Sequence, residues 1–243
     1  MATKPRGILF DYGGTLVEEV EFNTRAGLAW LLSRAVTQPN EAQFAHLARH
    51  SDRVSSEVAE RRDTFQIETP WTSLTRLIHD ACGTRFHEPV ADLELQFWDA
   101  SVKTRPMPGV REALQEFYDA HIRMGVVSNT SFSQATIRHE LSKHGLSDFL
   151  PVHVTSAEYA VRKPNPLIFE AAAGLLGLPC EDIWFVGDRI DTDIDGATAA
   201  GMNPIWFSPQ NDSGFAGIHL AVSSWAELAT MVREAGLDER REQ

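Results

Sequence analysis

Four short polar clusters in this chain each follow an apolar run or precede a helical pattern. In chain order they are Asp11 with Thr15, Ser128 with Asn129, Lys163, and Asp188 with Asp193. In open parallel α/β sheets the carboxyl ends of the strands meet at one edge, and ligands bind there. We therefore expect these polar side chains to converge on a single site.

The chemistry expected of such a site is phosphoryl transfer to a carboxylate. Asp11 and Asp188 would repel each other unless a divalent cation lay between them. Oxygen ligands suit Mg²⁺, which also binds phosphate oxygens. The other anionic oxygens would be bound by backbone N–H groups, a hydroxyl and an ammonium, from Gly13, Gly14, Thr15, Ser128 and Lys163. A nucleophile, a metal and cationic groups are what this transfer requires.

The elements that position these clusters alternate between strand and helix patterns. Strands are predicted at 7–10, 124–127, 151–155, 183–186 and 204–207, and helices at 110–121, 133–143, 166–176, up to Gly201, and 224–235. Residues 238–243 are predicted to be a frayed tail.

Between the first strand and this alternation, residues 18–103 carry apolar side chains at helical spacing and predict about four helices. The first strand must pair with the later ones, because parallel sheets bury both faces. The insert must therefore leave and re-enter at the site edge of the sheet. We predict an α/β fold, with a Rossmann-like three-layer parallel-sheet core (1–17 and 104–243) and an inserted all-helical cap domain (18–103).

Composition excludes several classes of protein. The 243 residues include 34 acidic and 22 basic side chains, a net charge of −12, with 43% hydrophobic residues. That is a globular composition, and its acidic balance argues against nucleic-acid partners. The two cysteines cannot form a disulfide framework. Without a signal-like or membrane-spanning apolar run, we expect a cytoplasmic protein with no membrane partner.

The motifs resemble those of the haloacid dehalogenase-like hydrolase superfamily. Residues 8–16 (ILFDYGGTL) are similar to its first motif and 126–129 (VVSN) to its second. Residues 163–169 (KPNPLIF) are similar to its third motif, and 186–197 (VGD through DIDGA) to its fourth. The insert is similar to the four-helix cap of that family.

The resemblance implies a role for each residue. Asp11 would be the nucleophile that forms an aspartyl-phosphate, with Ser128 and Lys163 stabilising the phosphate. Mg²⁺ would be held by Asp11, the backbone carbonyl of Gly13 and Asp188. Asp193 would lie in the outer shell or orient Lys163, and Asn129 would touch substrate or nucleophile. The expected function is Mg²⁺-dependent hydrolysis of a small phosphorylated metabolite by a monomer or homodimer.

Gly13 departs from the family pattern. Phosphatases of the family usually carry an aspartate there, which acts as general acid and base, and losing such a group typically costs about 10²–10⁴-fold in rate. Glu18 and Glu19 could replace it, or could simply be solvated charges near the hinge of the cap.

Other functions remain open at this point. A scaffold that binds Mg²⁺ and phosphate without turnover would explain Gly13, and 2-haloacid dehalogenases also lack an acid there. Phosphonate hydrolysis would need a lysine in the cap, and 18–102 contain none. A phosphomutase would need the missing acid. Arg62 and its neighbouring arginines could bind a second anionic group of a substrate, although such a cluster is more often a solvated helix face.

Overall fold

The computed structural model describes residues 4–209 and 220–238. Its centre is a six-stranded sheet made of β1 (Gly7–Phe10), β4 (Arg123–Ser128), β5 (Val152–Thr155), β6 (Ile183–Gly187), β7 (Asn203–Phe207) and β8 (Ala221–Val222). The strands lie in the order β5-β4-β1-β6-β7-β8, and every neighbouring pair is parallel. The predicted parallel α/β core is confirmed.

Helices cover both faces of this sheet and make three layers. One face packs against α5 (Val110–Asp119), α6 (Gln134–Lys143) and α10 (Trp225–Asp238), and the other against α8 (Pro166–Leu176) and α9 (Asp195–Ala199). In β1, Ile8 and Phe10 join the first core cluster, whereas Leu9 joins the second. All three are fully buried, which is why this strand has no polar face.

The insert contains the four expected helices, α1 (Thr24–Ser33), α2 (Glu41–Phe65), α3 (Trp71–Ala81) and α4 (Val90–Ser101), which we call the cap. Its two ends were not expected to be strands. β2 (Val17–Phe22) and β3 (Val102–Pro106) pair antiparallel and connect the cap to the sheet. The proposed domain boundaries at 17/18 and 103/104 fall within these two strands.

The remaining predicted elements match the structure to within a few residues, apart from some short additions. β8 was not predicted, a short helix α7 (Ser156–Tyr159) follows β5, and the predicted helix before Gly201 begins as a π-helical turn at Ile190–Ile194. The predicted tail, apart from its first residue, lies outside the described residues. Among the described helices, none has the length and apolar character to cross a membrane.

Candidate active site

Three adjacent strands bring the predicted aspartates and serine together. β1 is hydrogen-bonded to β4 on one side and to β6 on the other, so their carboxyl ends are neighbours. Asp11 follows β1, Ser128 ends β4, and Asp188 follows β6. The Asp11 N–H donates to the carbonyl of Val186 at 2.9 Å, which fixes where the β1 backbone leaves the sheet.

A tight turn after Asp11 brings the backbone against Asp188. Gly14 has φ +74°, in the left-handed region, and its N–H donates to the Val17 carbonyl at 2.8 Å. A β-carbon on Gly14 would lie 2.5 Å from Oδ2 of Asp188. Only glycine allows this approach, because a larger residue would be both strained and in collision with the carboxylate.

Lys163 links two of the carboxylates. Its Nζ lies 2.5 Å from Asp11 Oδ1 and 2.7 Å from Asp193 Oδ1, and the lysine is 3% exposed. Burial alone lowers the pKa of Lys163, but the charges of Asp11 and Asp193 outweigh it, so the pKa stands above its ordinary value. The ammonium is therefore charged and held at the nucleophile.

The carboxylates outnumber this one ammonium. Oxygens of Asp11, Asp188 and Asp193 lie within 4.8 Å of one another. Burial, together with the other carboxylates, raises the pKa values of Asp11 and Asp188. Oδ1 of Asp188 is buried and has no hydrogen-bond partner among the described residues. An orphaned carboxylate oxygen in an all-oxygen cluster with excess negative charge fits a hard divalent cation such as Mg²⁺.

Asn129 makes contacts that the sequence did not indicate. Its Nδ2 donates to the Lys163 carbonyl at 2.9 Å, and its Oδ1 accepts from the Lys163 N–H at 2.8 Å. This reciprocal pair ties the loop after β4 to the loop that carries Lys163. The predicted contact of Asn129 with substrate stays a prediction, and its observed contacts position the lysine.

A cavity of about 630 Å³ opens over these groups. The predicted residues that line it are Asp11, Gly13, Ser128, Asn129, Lys163 and Asp193. Gly14, Thr15 and Asp188 are not among the described residues that line it. Thr15 is fully buried, and its backbone carbonyl accepts a hydrogen bond from Trp225 Nε1 at 3.1 Å. Thr15 therefore packs beneath the turn, and any phosphate contact by it stays a prediction.

The cavity also has lining residues that motif reasoning did not assign. Arg62 and Gln66 come from the end of α2, Trp98 from α4, and Arg162 from the residue before Lys163. Trp98 is 3% exposed and also belongs to the hydrophobic core. The signal for Arg62 was its place among four arginines, a pattern more often typical of an exposed helix face.

The cap is hydrogen-bonded directly to the loop before Lys163. Ile67 and Val161 form an antiparallel bridge, and the Arg162 N–H donates to the Gln66 carbonyl at 2.9 Å. Glu68, 5% exposed, accepts from Ser156 Oγ at 2.8 Å and pairs with the Arg162 guanidinium. We call residues 66–68 and 160–162 the strap. No sequence motif pointed to it.

The two glutamates considered as replacements for an acid at position 13 differ in their surroundings. Glu18 forms an ion pair with Arg105 at 2.6 Å, directly across from it on β3. Glu19 lines the cavity with Asp11. It remains solvent-accessible, yet the protein around its carboxyl desolvates it and raises its pKa.

Comparison with known proteins agrees with this architecture. Residues 8–207 match the family of haloacid dehalogenase-like hydrolases, so the chain belongs to that family. The structure of a 2-haloacid dehalogenase from Pseudomonas syringae matches over 96% of this chain and 99% of the dehalogenase (TM-score 0.66, 20% identity). A phosphatase of the family from Thermococcus onnurineus gives TM-score 0.62 at 21% identity, over 93% of this chain and 97% of the other. At these identities the likeness establishes the shared fold.

A glyceraldehyde 3-phosphate phosphatase from Methanopyrus kandleri is a sequence relative. It is 33% identical over 142 residues, which are 55% of this chain and 59% of the relative. The chain spans about half the length of the curated relatives it matches.

Proposed function

We propose that this protein is a Mg²⁺-dependent phosphatase that hydrolyses a small phosphate ester through an aspartyl-phosphate on Asp11. The observation that carries the proposal is the buried group in which one ammonium, Lys163, contacts two of three clustered carboxylates. This arrangement leaves negative charge for a cation and keeps a positive charge beside the nucleophile. The name of the Methanopyrus relative supports phosphate-ester chemistry.

The roles of the side chains follow from their places. Asp11 presents a carboxylate at the cavity, where it can attack phosphorus. Lys163 and Ser128 lie on the same cavity wall and can bind the phosphoryl oxygens. Asp193 holds Lys163 toward Asp11, and Asn129 holds its backbone.

Mg²⁺ would be held by Asp11, Asp188 and the backbone carbonyl of Gly13, with Asp193 in the outer shell. When bound, it would neutralise negative charge on the phosphate and on the nucleophile. The cap residues Arg62, Gln66 and Trp98 form the part of the cavity that would contact the rest of the ester. A cavity of about 630 Å³ suits a small metabolite.

The first test is phosphate release from glyceraldehyde 3-phosphate, glycerol 3-phosphate and 4-nitrophenyl phosphate, with Mg²⁺ and with EDTA. We expect release only with Mg²⁺. Asp11→Asn should lower it by about 10⁴-fold or more, because an amide cannot attack phosphorus. Unchanged circular dichroism would show that the variant is folded.

Retained activity in Asp11→Asn would contradict the assignment of the nucleophile. Mg²⁺ binding without phosphate release by the wild type would favour the scaffold, which Gly13 brings into consideration. Chloride release from 2-haloacids without phosphate release would favour a dehalogenase.

A further inference from the structure

A carboxylate from β2 stands beside the site at the place where residue 13 lacks a side chain. Among the described residues other than those adjoining Gly13, a β-carbon built on Gly13 would have one atom within 4 Å, Oε1 of Glu19, at 3.8 Å. That distance is ordinary van der Waals contact. Glu19 thus reaches the space toward which a side chain at position 13 would point.

The paired strands β2 and β3 hold Glu19 in this place. Glu18 and Glu21, on the same strand, form ion pairs with cations on β3, Arg105 and Lys103, each at 2.6 Å. The register of this strand pair shifts between Glu19 and Glu21. Successive side chains on a strand point to opposite faces, so Glu18 can face its cation while Glu19 faces the cavity.

The other carboxyl groups at the cavity have different partners. Asp193 holds Lys163, and Asp191 forms an ion pair with Arg189 at 2.9 Å. Glu19 differs from Asp193 and Asp191 because it lies beside Gly13, and it lines the same cavity as Asp11. Arg62 and Arg162 line this cavity as well.

We propose that Glu19 is the general acid and general base of the reaction, supplied by the cap-connecting strand. This inference rests on the proposed phosphatase function. Desolvation raises the pKa of the Glu19 carboxyl, which favours the protonated form that a departing alkoxide needs.

Bonds and protons balance over the two steps of the reaction. An Asp11 oxygen bonds to phosphorus, the bond from phosphorus to the ester oxygen breaks, and that oxygen takes the proton of Glu19 and leaves as the alcohol. The Glu19 carboxylate then removes a proton from water as the water oxygen attacks phosphorus. Inorganic phosphate leaves, the Asp11 carboxylate is restored, and Glu19 is protonated again.

Leaving-group dependence separates this role from a structural one. 4-Nitrophenolate is stable enough to leave without a proton, whereas an alkoxide is not. In Glu19→Gln we expect the first step, measured as alcohol release in a single turnover, to slow by about 10²-fold or more with the best alkyl phosphate of the panel and little with 4-nitrophenyl phosphate. Loss of the general base slows the second step, so steady-state phosphate release should fall for both esters. Glu18→Gln, on the same strand, should leave both rates unchanged.

Restoring activity to Glu19→Gln with a carboxyl at position 13 tests where the general acid must lie. Gly13→Asp places a carboxyl in the same space, where its β-carbon would fit without a collision. In the Glu19→Gln background it should restore turnover of the alkyl phosphate. In the wild-type background it should bring no comparable gain, because Glu19 already supplies the proton.

The outcomes of these experiments distinguish a failure of the Glu19 role from a failure of the proposed phosphatase function. Slowing of the first step confined to the alkyl ester, with rescue by Gly13→Asp, supports the role. No slowing, an equal slowing of the first step with both esters, or a failed rescue overturns it while the phosphatase stands. A wild type that releases no phosphate overturns the proposed function itself.

Discussion

Gly14 is the residue at which backbone conformation and the acidic cluster depend on each other. Its φ is +74°, and an added β-carbon would lie 2.5 Å from Asp188 Oδ2, which leaves no room for a side chain. We expect Gly14→Ala to destabilise the fold by about 1–3 kcal/mol, because alanine is strained in the left-handed region. It should also displace Asp188 and weaken Mg²⁺ binding, measured by isothermal titration calorimetry.

Gly174 is the matched control for this substitution. It is exposed in α8, and apart from its chain neighbours and its own helix backbone no atom of the described residues lies within 4 Å of an added β-carbon. Gly174→Ala should stabilise the protein by about 0.5–1 kcal/mol in urea denaturation and leave Mg²⁺ binding intact. Equal Mg²⁺ affinity in the two variants would show that the turn does not position Asp188.

The sequence predicts the convergence of those site residues that lie at the carboxyl ends of strands. Asp11, Ser128 and Asp188 follow apolar runs that became neighbouring strands, so their convergence follows from topology. The contact between Asn129 and the Lys163 backbone spans 34 residues of sequence, and no local pattern specifies it. Arg62 lies on a long helix whose sequence does not show which face meets the cavity.

At the scale of elements, buried hydrogen bonds from α4 anchor the cap to the core. Glu94, 7% exposed, accepts from the Ser133 N–H at 2.5 Å and from Thr136 Oγ1 at 3.0 Å, at the start of α6. Trp98 Nε1 donates to Glu140 of the same helix at 2.9 Å. The Glu94 carboxylate therefore satisfies a backbone donor at the N-terminus of α6, a helix of the core.

Glu94→Ala should lower the free energy of unfolding by about 1–3 kcal/mol, because it leaves buried donors without an acceptor. Gln96→Ala, exposed on the same helix, should change it by less than about 0.5 kcal/mol. Thermal or urea denaturation of the two variants measures the difference. Equal midpoints would mean that solvent replaces the Glu94 contact.

The strands β2 and β3 could not be predicted from sequence pattern. β2 reads Val-Glu-Glu-Val-Glu-Phe, which lacks the alternation of a half-buried strand, and a register shift interrupts its pairing. It pairs with β3, which lies beyond the whole cap in sequence, and exposed ion pairs join the two strands. β8 has two residues, too few to carry any period.

For the whole molecule, two buried histidines predict loss of stability in acid. Burial lowers the pKa of both His79, in the cap, and His153, in the sheet, to about 4. The unfolded chain takes up these protons near pH 6.5, before the folded protein does. The stability that these two histidines contribute should therefore be full above about pH 6.5 and be lost as the pH drops toward 4, by a few kcal/mol in all.

His79→Gln should flatten this pH dependence, since the unfolded chain would then bind one proton fewer between pH 4 and 6.5. Exposed His87→Gln, also in the cap, is the control and should leave the slope as it is. Urea denaturation at several pH values measures both. An unchanged slope in His79→Gln would exclude this histidine as a source of acid sensitivity.

The strap has a consequence for how such proteins can be recombined. Residues 66–68 travel with the cap, but their partners at 160–162 lie in the sheet domain, next to Lys163. A chimaera that exchanged the cap alone would leave the Arg162 N–H and the Glu68 carboxylate facing foreign neighbours. A graft that preserves the strap must therefore be discontinuous, the cap together with residues 160–162 far downstream.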